Sequence, residues 1–249
     1  MKTVRLGVIG CGGMARNHMA YFDTIPGLEF TAAADNFTDN LDLVTGQYGV
    51  EGFDDGRKLI RSGACDAIMI CTPHWFHPEL SIAGFKAGLH VLTEKPVAVT
   101  AKDAVRVEKE HAKHPKLIYA AMFQIRAHPL WQAVKQIIDR GDLGPIQRVN
   151  WIVTNWFRSQ AYMDSAAWRA TWKGEGGGVL LNQCPHNLDL LCWLVGSPTE
   201  VYADVSCGKY HHIEVDDDVT AILKWDPKVD KNKRINPKGA TGAFITTTG

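Results

Sequence analysis

The sequence predicts an α/β fold in two domains: a doubly wound parallel sheet over residues 1–123, then an α+β domain with an open, mostly antiparallel sheet over residues 124–249. Three observations carry that expectation. From Val4 to Phe123, short β-branched or apolar runs alternate with longer amphipathic stretches, the pattern of repeated βαβ units. A glycine-rich turn follows the first of these runs directly. After Phe123 the rhythm changes to one helix, the turn Gly141-Asp142-Leu143-Gly144-Pro145 and longer strand runs.

In the first domain the strands fall at Val4–Ile9, Glu29–Ala34, Asp66–Cys71, His90–Thr93 and Leu117–Met122, with a weaker one at Val50–Phe53. Thr100 followed by Asp103 predicts a capped helix that runs towards His114 and stops at Pro115. In the second domain a helix is expected at Pro129–Arg140 and a long strand at Ile146–Phe157. A further helix over Asn182–Val195 is expected to cover an antiparallel sheet that includes Glu200–Cys207 and Asp218–Trp225. The polar, lysine-rich stretch Asp226–Lys238 reads as a solvated hairpin loop. Residues Ala240–Gly249 read as a strand-like tail without a cap, so the sheet is expected to be incomplete.

The 249 residues include 27 basic and 27 acidic side chains, so no net field draws the chain to nucleic acid or an anionic membrane. A small, neutral or weakly charged ligand suits this balance better. The start Met1-Lys2-Thr3-Val4-Arg5-Leu6 enters a strand without the apolar stretch of a secretory signal, and no segment resembles a membrane span. Six cysteines, at 11, 65, 71, 184, 192 and 207, are scattered rather than set at framework spacings, which points to reduced thiols and a cytoplasmic protein.

The run Leu6-Gly7-Val8-Ile9-Gly10-Cys11-Gly12-Gly13-Met14-Ala15 places G-x-G-x-x-A between a strand and a helix. Gly10 permits the tight turn, Gly12 lacks the Cβ that would hold a pyrophosphate off the backbone amides, and Ala15 allows close helix–strand packing. Gly13 and Met14 complete a cofactor-binding turn in which the helix N-terminus faces the phosphates. Glycine suits any sharp turn, so Asp35, at the end of the second strand, adds the stronger half of the signal: its carboxylate can accept from ribose hydroxyls. A helix cap is the alternative reading. Asp35 would repel a 2′-phosphate and Asn36-Phe37-Thr38 supplies no base to neutralise one, so NAD is preferred over NADP.

Two further constellations carry chemistry. Thr93-Glu94-Lys95-Pro96 follows the His90–Thr93 strand, at the carboxyl edge where ligands bind in such sheets. Lys95 there can stabilise an alkoxide, and the position equally suits a surface lysine. The run from Gly176 to Asp189 places Asn182, His186 and Asp189 at i, i+4 and i+7, one face of a helix. His186 is suited to general-base work; a buried histidine bonded to Asp189 is the bland alternative.

The ordered set of the Gly10–Ala15 loop, Asp35, Cys71-Thr72-Pro73, Glu94-Lys95-Pro96 and the glycine run to His186 and Asp189 resembles the glucose-fructose oxidoreductase, inositol dehydrogenase and rhizopine catabolism (Gfo/Idh/MocA) family. The resemblance covers almost the whole chain. It implies a Rossmann domain, a second open-sheet domain, a nicotinamide cofactor between them, and oxidation or reduction of a ring hydroxyl of a sugar, sugar derivative or cyclitol. It further implies that Lys95 touches the reacting hydroxyl, that Lys95–Pro96 is cis, and that His186 is the acid/base with Asn182 and Asp189 supporting it. Thr72, Pro73, His77, Glu94 and Lys95 then border the cofactor, with His77 near the nicotinamide. Arg126, Tyr162, Trp168 and Arg169 lie in segments that approach the substrate in similar proteins. The family pattern is D-x-x-x-H-x-x-D, and Asn182 replaces its first aspartate with a neutral amide that can still fix the ring by hydrogen bonding. Family chains also continue past the point of Gly249 with more strands and a terminal helix, so the chain reads as C-terminally truncated.

Trp131, Trp151, Trp156, Trp168, Trp172 and Trp193 gather in the second domain, mostly as core, with some able to stack on a sugar. The small-molecule reading carries the expectation of a homo-oligomer, without nucleic acid, membrane or metal. Three rivals stay open: a glycosidase of similar fold that retains its NAD, a catalytically weak dinucleotide-binding or regulatory protein, and zinc chemistry at Cys71-x-x-His74-x-x-His77, which lacks a fourth ligand.

Overall fold

The computed structural model describes residues 3–230, 232 and 234–249, and the chain divides into two compact units between Met122 and Phe123. Met1 and Lys2 of the strand-entering start, and Lys231 and Lys233 of the lysine-rich stretch, lie outside the described residues. Among the described residues no helix is long and apolar enough to cross a membrane.

The first unit runs β1 (Val4–Ile9), α1 (Gly13–Met19), β2 (Leu28–Ala34), α2 (Thr38–Tyr48), β3 (Glu51–Phe53), α3 (Gly56–Ser62), β4 (Ala67–Ile70), α4 (His77–Lys86), β5 (His90–Thr93), α5 (Ala101–His111) and β6 (Tyr119–Ala121). The strands form one sheet in the order β3-β2-β1-β4-β5-β6, parallel at every pairing. The strand period of two sorts its residues. Ile9, Ala32, Ala34, Ile68, Ile70 and Val91 pack on one face with Leu59, Ile60, Leu80, Phe85 and Val107 of α3, α4 and α5. Leu6, Val8, Ala33 and Met69 pack on the other with Ala15 and Met19 of α1 and Val44 of α2. Burying each Val, Leu, Ile, Phe or Met side chain among these stabilises by about 1.5–3 kcal/mol, which fixes the register because a one-residue slip would exchange the faces. Thr100 caps α5: its hydroxyl oxygen accepts from the Asp103 amide at 3.1 Å and its hydroxyl donates to the Asp103 carboxylate at 2.7 Å.

The second unit contains α6 (Pro129–Arg140), β7 (Arg148–Val153), α7 (Gln160–Met163), a π-helical turn at Val179–Gln183, α8 (Pro185–Val195), β8 (Glu200–Cys207), β9 (Asp216–Trp225) and β10 (Ala240–Thr247). Its sheet is ordered β7-β10-β9-β8, antiparallel at β8–β9 and β9–β10 and parallel at β7–β10. One face, with Val219, Ala221, Leu223, Trp225 and Phe244, carries Leu191, Leu194 and Val195 of α8 and, further out, Trp131, Val134 and Ile138 of α6.

Four expectations change here. The residues of the strand-like tail form β10, which lies inside the sheet between β7 and β9. The strand expected to reach Phe157 ends at Val153, where its pairing with β10 stops at the Thr246–Val153 pair. The helix expected from Asn182 is two elements, because Pro185 opens α8 at its first turn and Val179–Gln183, one residue before it, winds as a π-turn. The lysine-rich stretch is more than a solvated loop: Pro227–Val229 forms a 3₁₀ turn, and buried Ile235 makes a parallel bridge with Ile146.

Candidate functional site

In the first unit the carboxyl ends of β1, β2, β4 and β5 bring the predicted cofactor residues together. Gly10 has φ +90°, and a Cβ there would stand 2.8 Å from the Cys71 carbonyl carbon, so β1 can turn against β4 only with glycine. Gly12 caps α1, and a Cβ on Gly12 or Gly13 would meet no protein atom within 4 Å. The space beside these amides is therefore open, as a pyrophosphate on a helix N-terminus requires. Met14 is exposed at the rim and Ala15 is buried against the sheet.

Asp35 is committed to the loop more than expected. One carboxylate oxygen accepts from the Cys11 amide at 2.7 Å and the other from the Phe37 amide at 2.8 Å, so it ties the glycine turn to the start of α2. Each oxygen keeps a second lone pair for a ribose hydroxyl. The Cys11 thiol beside it is pushed up to about 12 by burial, with the Asp35 charge adding to the effect, so it is a neutral packing group.

At the end of β5, Glu94 is buried and both its oxygens are engaged: one lies 2.6 Å from His18 Nε2 on α1, and the other accepts from the Lys95 amide at 3.0 Å. Burial alone would raise the Glu94 carboxyl, but the His18 and Lys95 hydrogen bonds and charges bring it below its ordinary value. The Lys95–Pro96 peptide is cis. Glu94 thus ties the Lys95 backbone amide to α1 through His18.

His77 is held between two loops at this edge. It is fully buried, with Nδ1 2.7 Å from the Pro96 carbonyl and Nε2 2.7 Å from the Thr72 carbonyl. Its ring joins the Thr72-Pro73 loop to the Lys95-Pro96 loop. Burial, the largest influence, lowers its pKa against the opposing pull of the two carbonyls. Among the described residues no group of three or more His, Cys, Asp or Glu side chains is arranged to hold a metal ion. A cleft of about 480 Å³ also opens on this unit. Its lining runs along the strands, from Val4, Leu28, Ala67 and His90 at their starts to Met69, Leu92 and Met122 near their carboxyl ends, with His18 of α1.

In the second unit the glycine run is shaped by β9. Asp216 accepts from the Gly178 amide at 2.7 Å and the Leu180 amide at 2.8 Å, and a Cβ on Gly178 would stand 1.9 Å from the Asp216 carbonyl oxygen. That contact starts the π-turn carrying Asn182. His186 follows on the first turn of α8, buried, with the Phe123 ring edge-on at 5.9 Å. Asp189, one turn further along, is gripped by Arg126 through Nε at 2.6 Å and through a second bond from the guanidinium, which also lies over Trp193. Asp189 and Arg126 therefore form a forked pair.

Tyr162, Trp168 and Arg169 do come together. The Arg169 guanidinium lies 4.3 Å from the Tyr162 ring centre and 4.9 Å from that of Trp168, and donates to the Tyr162 hydroxyl at 2.7 Å. Sequence reasoning missed Arg158, which lies over the rings of Trp156 and Tyr162. It also missed His18 and Glu175; the spacing of His18, three residues beyond Ala15 on α1, is the signal that could have shown the first. Trp131 and Trp151 stack at 5.6 Å within the core, as most of the tryptophans were expected to do.

A parallel six-stranded sheet with a glycine turn at its carboxyl edge defines a dinucleotide-binding Rossmann domain. Residues 4–122 match the model of an oxidoreductase family with an NAD-binding Rossmann fold, and residues 131–243 match the GFO/IDH/MocA C-terminal domain. The WlbA dehydrogenase from Bordetella pertussis, solved in complex with NADH and UDP-GlcNAcA, is 30% identical and superposes with a TM-score of 0.88 over 99% of this chain and 72% of its own. D-glucoside 3-dehydrogenase of Escherichia coli K12 is 26% identical over 91% of this chain, and inositol 2-dehydrogenase 3 of Saccharopolyspora erythraea is 28% identical over 78%. The chain spans 63% and 54% of the lengths of those two relatives. The chain belongs to the Gfo/Idh/MocA family of oxidoreductases.

Proposed function

We propose that the protein transfers a hydride between a ring hydroxyl of a sugar, sugar derivative or cyclitol and NAD. The observation that carries this reading is the carboxyl edge of the first sheet, where the open glycine turn, Asp35, the Thr72-Pro73 loop and a lysine anchored by Glu94 share one rim. The amides beside Gly12 and Gly13 would hold the pyrophosphate, and Asp35 the adenosine ribose. When bound, the nicotinamide supplies the hydride acceptor. Lys95 hydrogen-bonds the reacting oxygen and stabilises negative charge on it, and His186 takes the hydroxyl proton. Asp35 supports NAD over NADP, since a carboxylate holding the ribose would repel a 2′-phosphate.

The Arg158, Tyr162 and Arg169 cluster with Trp156 and Trp168 offers aromatic faces and two guanidinium groups. That chemistry suits an anionic sugar, and the Bordetella relative was solved with UDP-GlcNAcA. Within the substrate class we therefore favour a nucleotide-linked or acidic sugar. A homo-oligomer completes the reading, because Ile152, Tyr202 and Ile222 share one exposed face of the second sheet.

The test incubates the protein with NAD and a panel of inositols, hexoses, glycosides and UDP-GlcNAcA while NADH is followed by absorbance. Net NADH formation that falls by about 10²-fold or more in both Lys95→Ala and His186→Ala supports the proposal. Glycoside cleavage without NADH accumulation supports the NAD-retaining glycosidase, and NAD binding without turnover supports the regulatory alternative.

A further inference from the structure

Asn182 stands where the family pattern has a carboxylate, and the structure holds a carboxylate seven residues earlier that the sequence reading did not use. Glu175 is 2% exposed. One of its oxygens accepts from the Ala170 amide at 2.6 Å, at a residue whose φ is +57°, and the other accepts from Asn182 Nδ2. A backbone amide can only donate, so the Glu175 oxygen that meets it can only accept. The second oxygen likewise accepts, from the Asn182 amide nitrogen. With Nδ2 held in this way, the orientation of the Asn182 side chain is set, and its other end is Oδ1, an acceptor.

We propose that Glu175 is a positioning residue for the acid/base histidine: it fixes the Asn182 amide so that Oδ1 is offered to His186, four residues on, and so sets the imidazole tautomer. The inference rests on the reading of His186 as the proton acceptor. Glu175 and Asn182 together do what one aspartate at 182 would do, with the charge moved away from the ring and an oxygen kept in front of it. An acceptor oxygen there calls for an N–H on the ring nitrogen that faces it and leaves the other nitrogen to receive the substrate proton.

The hydrogen-bond inventory of the four possible pairs makes the proposal testable. In Glu175→Gln the side-chain oxygen still accepts from Ala170, so the new amide nitrogen faces Asn182. Asn182 must then flip to answer it with Oδ1, which turns a donor towards His186. In Asn182→Asp two carboxylates face each other. In the double exchange, Glu175→Gln with Asn182→Asp, the glutamine donates to one aspartate oxygen and the other oxygen is again offered to His186.

Two readouts follow these variants: kcat and KM on whichever substrate the native protein turns over, and the ¹⁵N spectrum of the His186 ring, which reports its tautomer without any turnover. Glu175→Gln is expected to lower kcat by about tenfold or more with KM changed by less than about twofold, and to change the tautomer pattern. The double exchange is expected to restore both. Native kcat and a native ring spectrum in Glu175→Gln overturn the proposal, as does a double exchange that folds and restores neither readout. A native protein that turns over nothing sinks the dehydrogenase reading, and the ring spectra then still decide whether Glu175 governs His186.

Discussion

Gly10 and Gly12 are two residues apart, yet their surroundings assign them opposite costs. At Gly10 an added methyl meets the Cys71 backbone at 2.8 Å on a left-handed φ. Gly10→Ala is therefore expected to destabilise the first unit by about 1–3 kcal/mol, measured by urea unfolding. At Gly12 an added side chain meets no protein within 4 Å. Gly12→Val is expected to cost about 1 kcal/mol or less in stability while NAD affinity drops at least about tenfold, read by calorimetric titration. Equal losses of stability in the two variants would contradict the assignment of the open space to a ligand. Glu94 adds a pH dependence. Its folded carboxyl lies below its ordinary value of 4.5, so its stabilising contribution is present above that value and is lost as pH falls through the lower, folded value. Urea midpoints of the native chain should fall over that acidic window more than those of Glu94→Gln, and parallel curves would remove Glu94 from the account.

At the scale of elements, the π-turn at Val179–Gln183 has the clearest cause. Asp216 satisfies the amides of Gly178 and Leu180, and the glycine run lies so close to β9 that only glycine fits at 178. Gly178→Ala is expected to lower Tm and to remove any activity dependent on His186, as thermal melts and the NADH assay would show. Retention of both would mean that the turn does not place the histidine. This element also marks where sequence reading stopped. The 3.6-residue period located Asn182, His186 and Asp189, and periodicity is a local property. Pro185 and the contact with Asp216, 31 residues beyond Pro185 in sequence number, convert the first turn to a π form, and no local pattern encodes that contact. The parallel strands were legible because burial on both faces leaves dense β-branched runs, and the Thr100–Asp103 cap because its partners are three residues apart. The partnerships of Glu94 with His18, Asp189 with Arg126 and Glu175 with Asn182 were not, since each depends on how separate segments pack.

For the molecule as a whole, the cysteines give a reporter of integrity. Cys11, Cys65 and Cys184 are buried, Cys71 and Cys192 partly so, and Cys207 is exposed on β8. Burial raises the Cys184 thiol to about 11 as it raises that of Cys11, which suppresses the reactive thiolate at neutral pH. Alkylation of the native chain at pH 7 should therefore modify Cys207 first, with the buried thiols reacting only as the fold opens; rapid modification of Cys11 or Cys184 would contradict the fold. The central claim, that this family member moves a hydride from a ring carbon to NAD, is tested most directly by following the atom itself. The native protein is mixed with NAD and perdeuterated myo-inositol, glucose or UDP-GlcNAcA, and the mass of the reduced cofactor is measured. One deuterium retained in NADH with the active substrate is the expected result; NADH without deuterium, or a deuterium-bearing product formed with no reduced cofactor from any of the three, would contradict it.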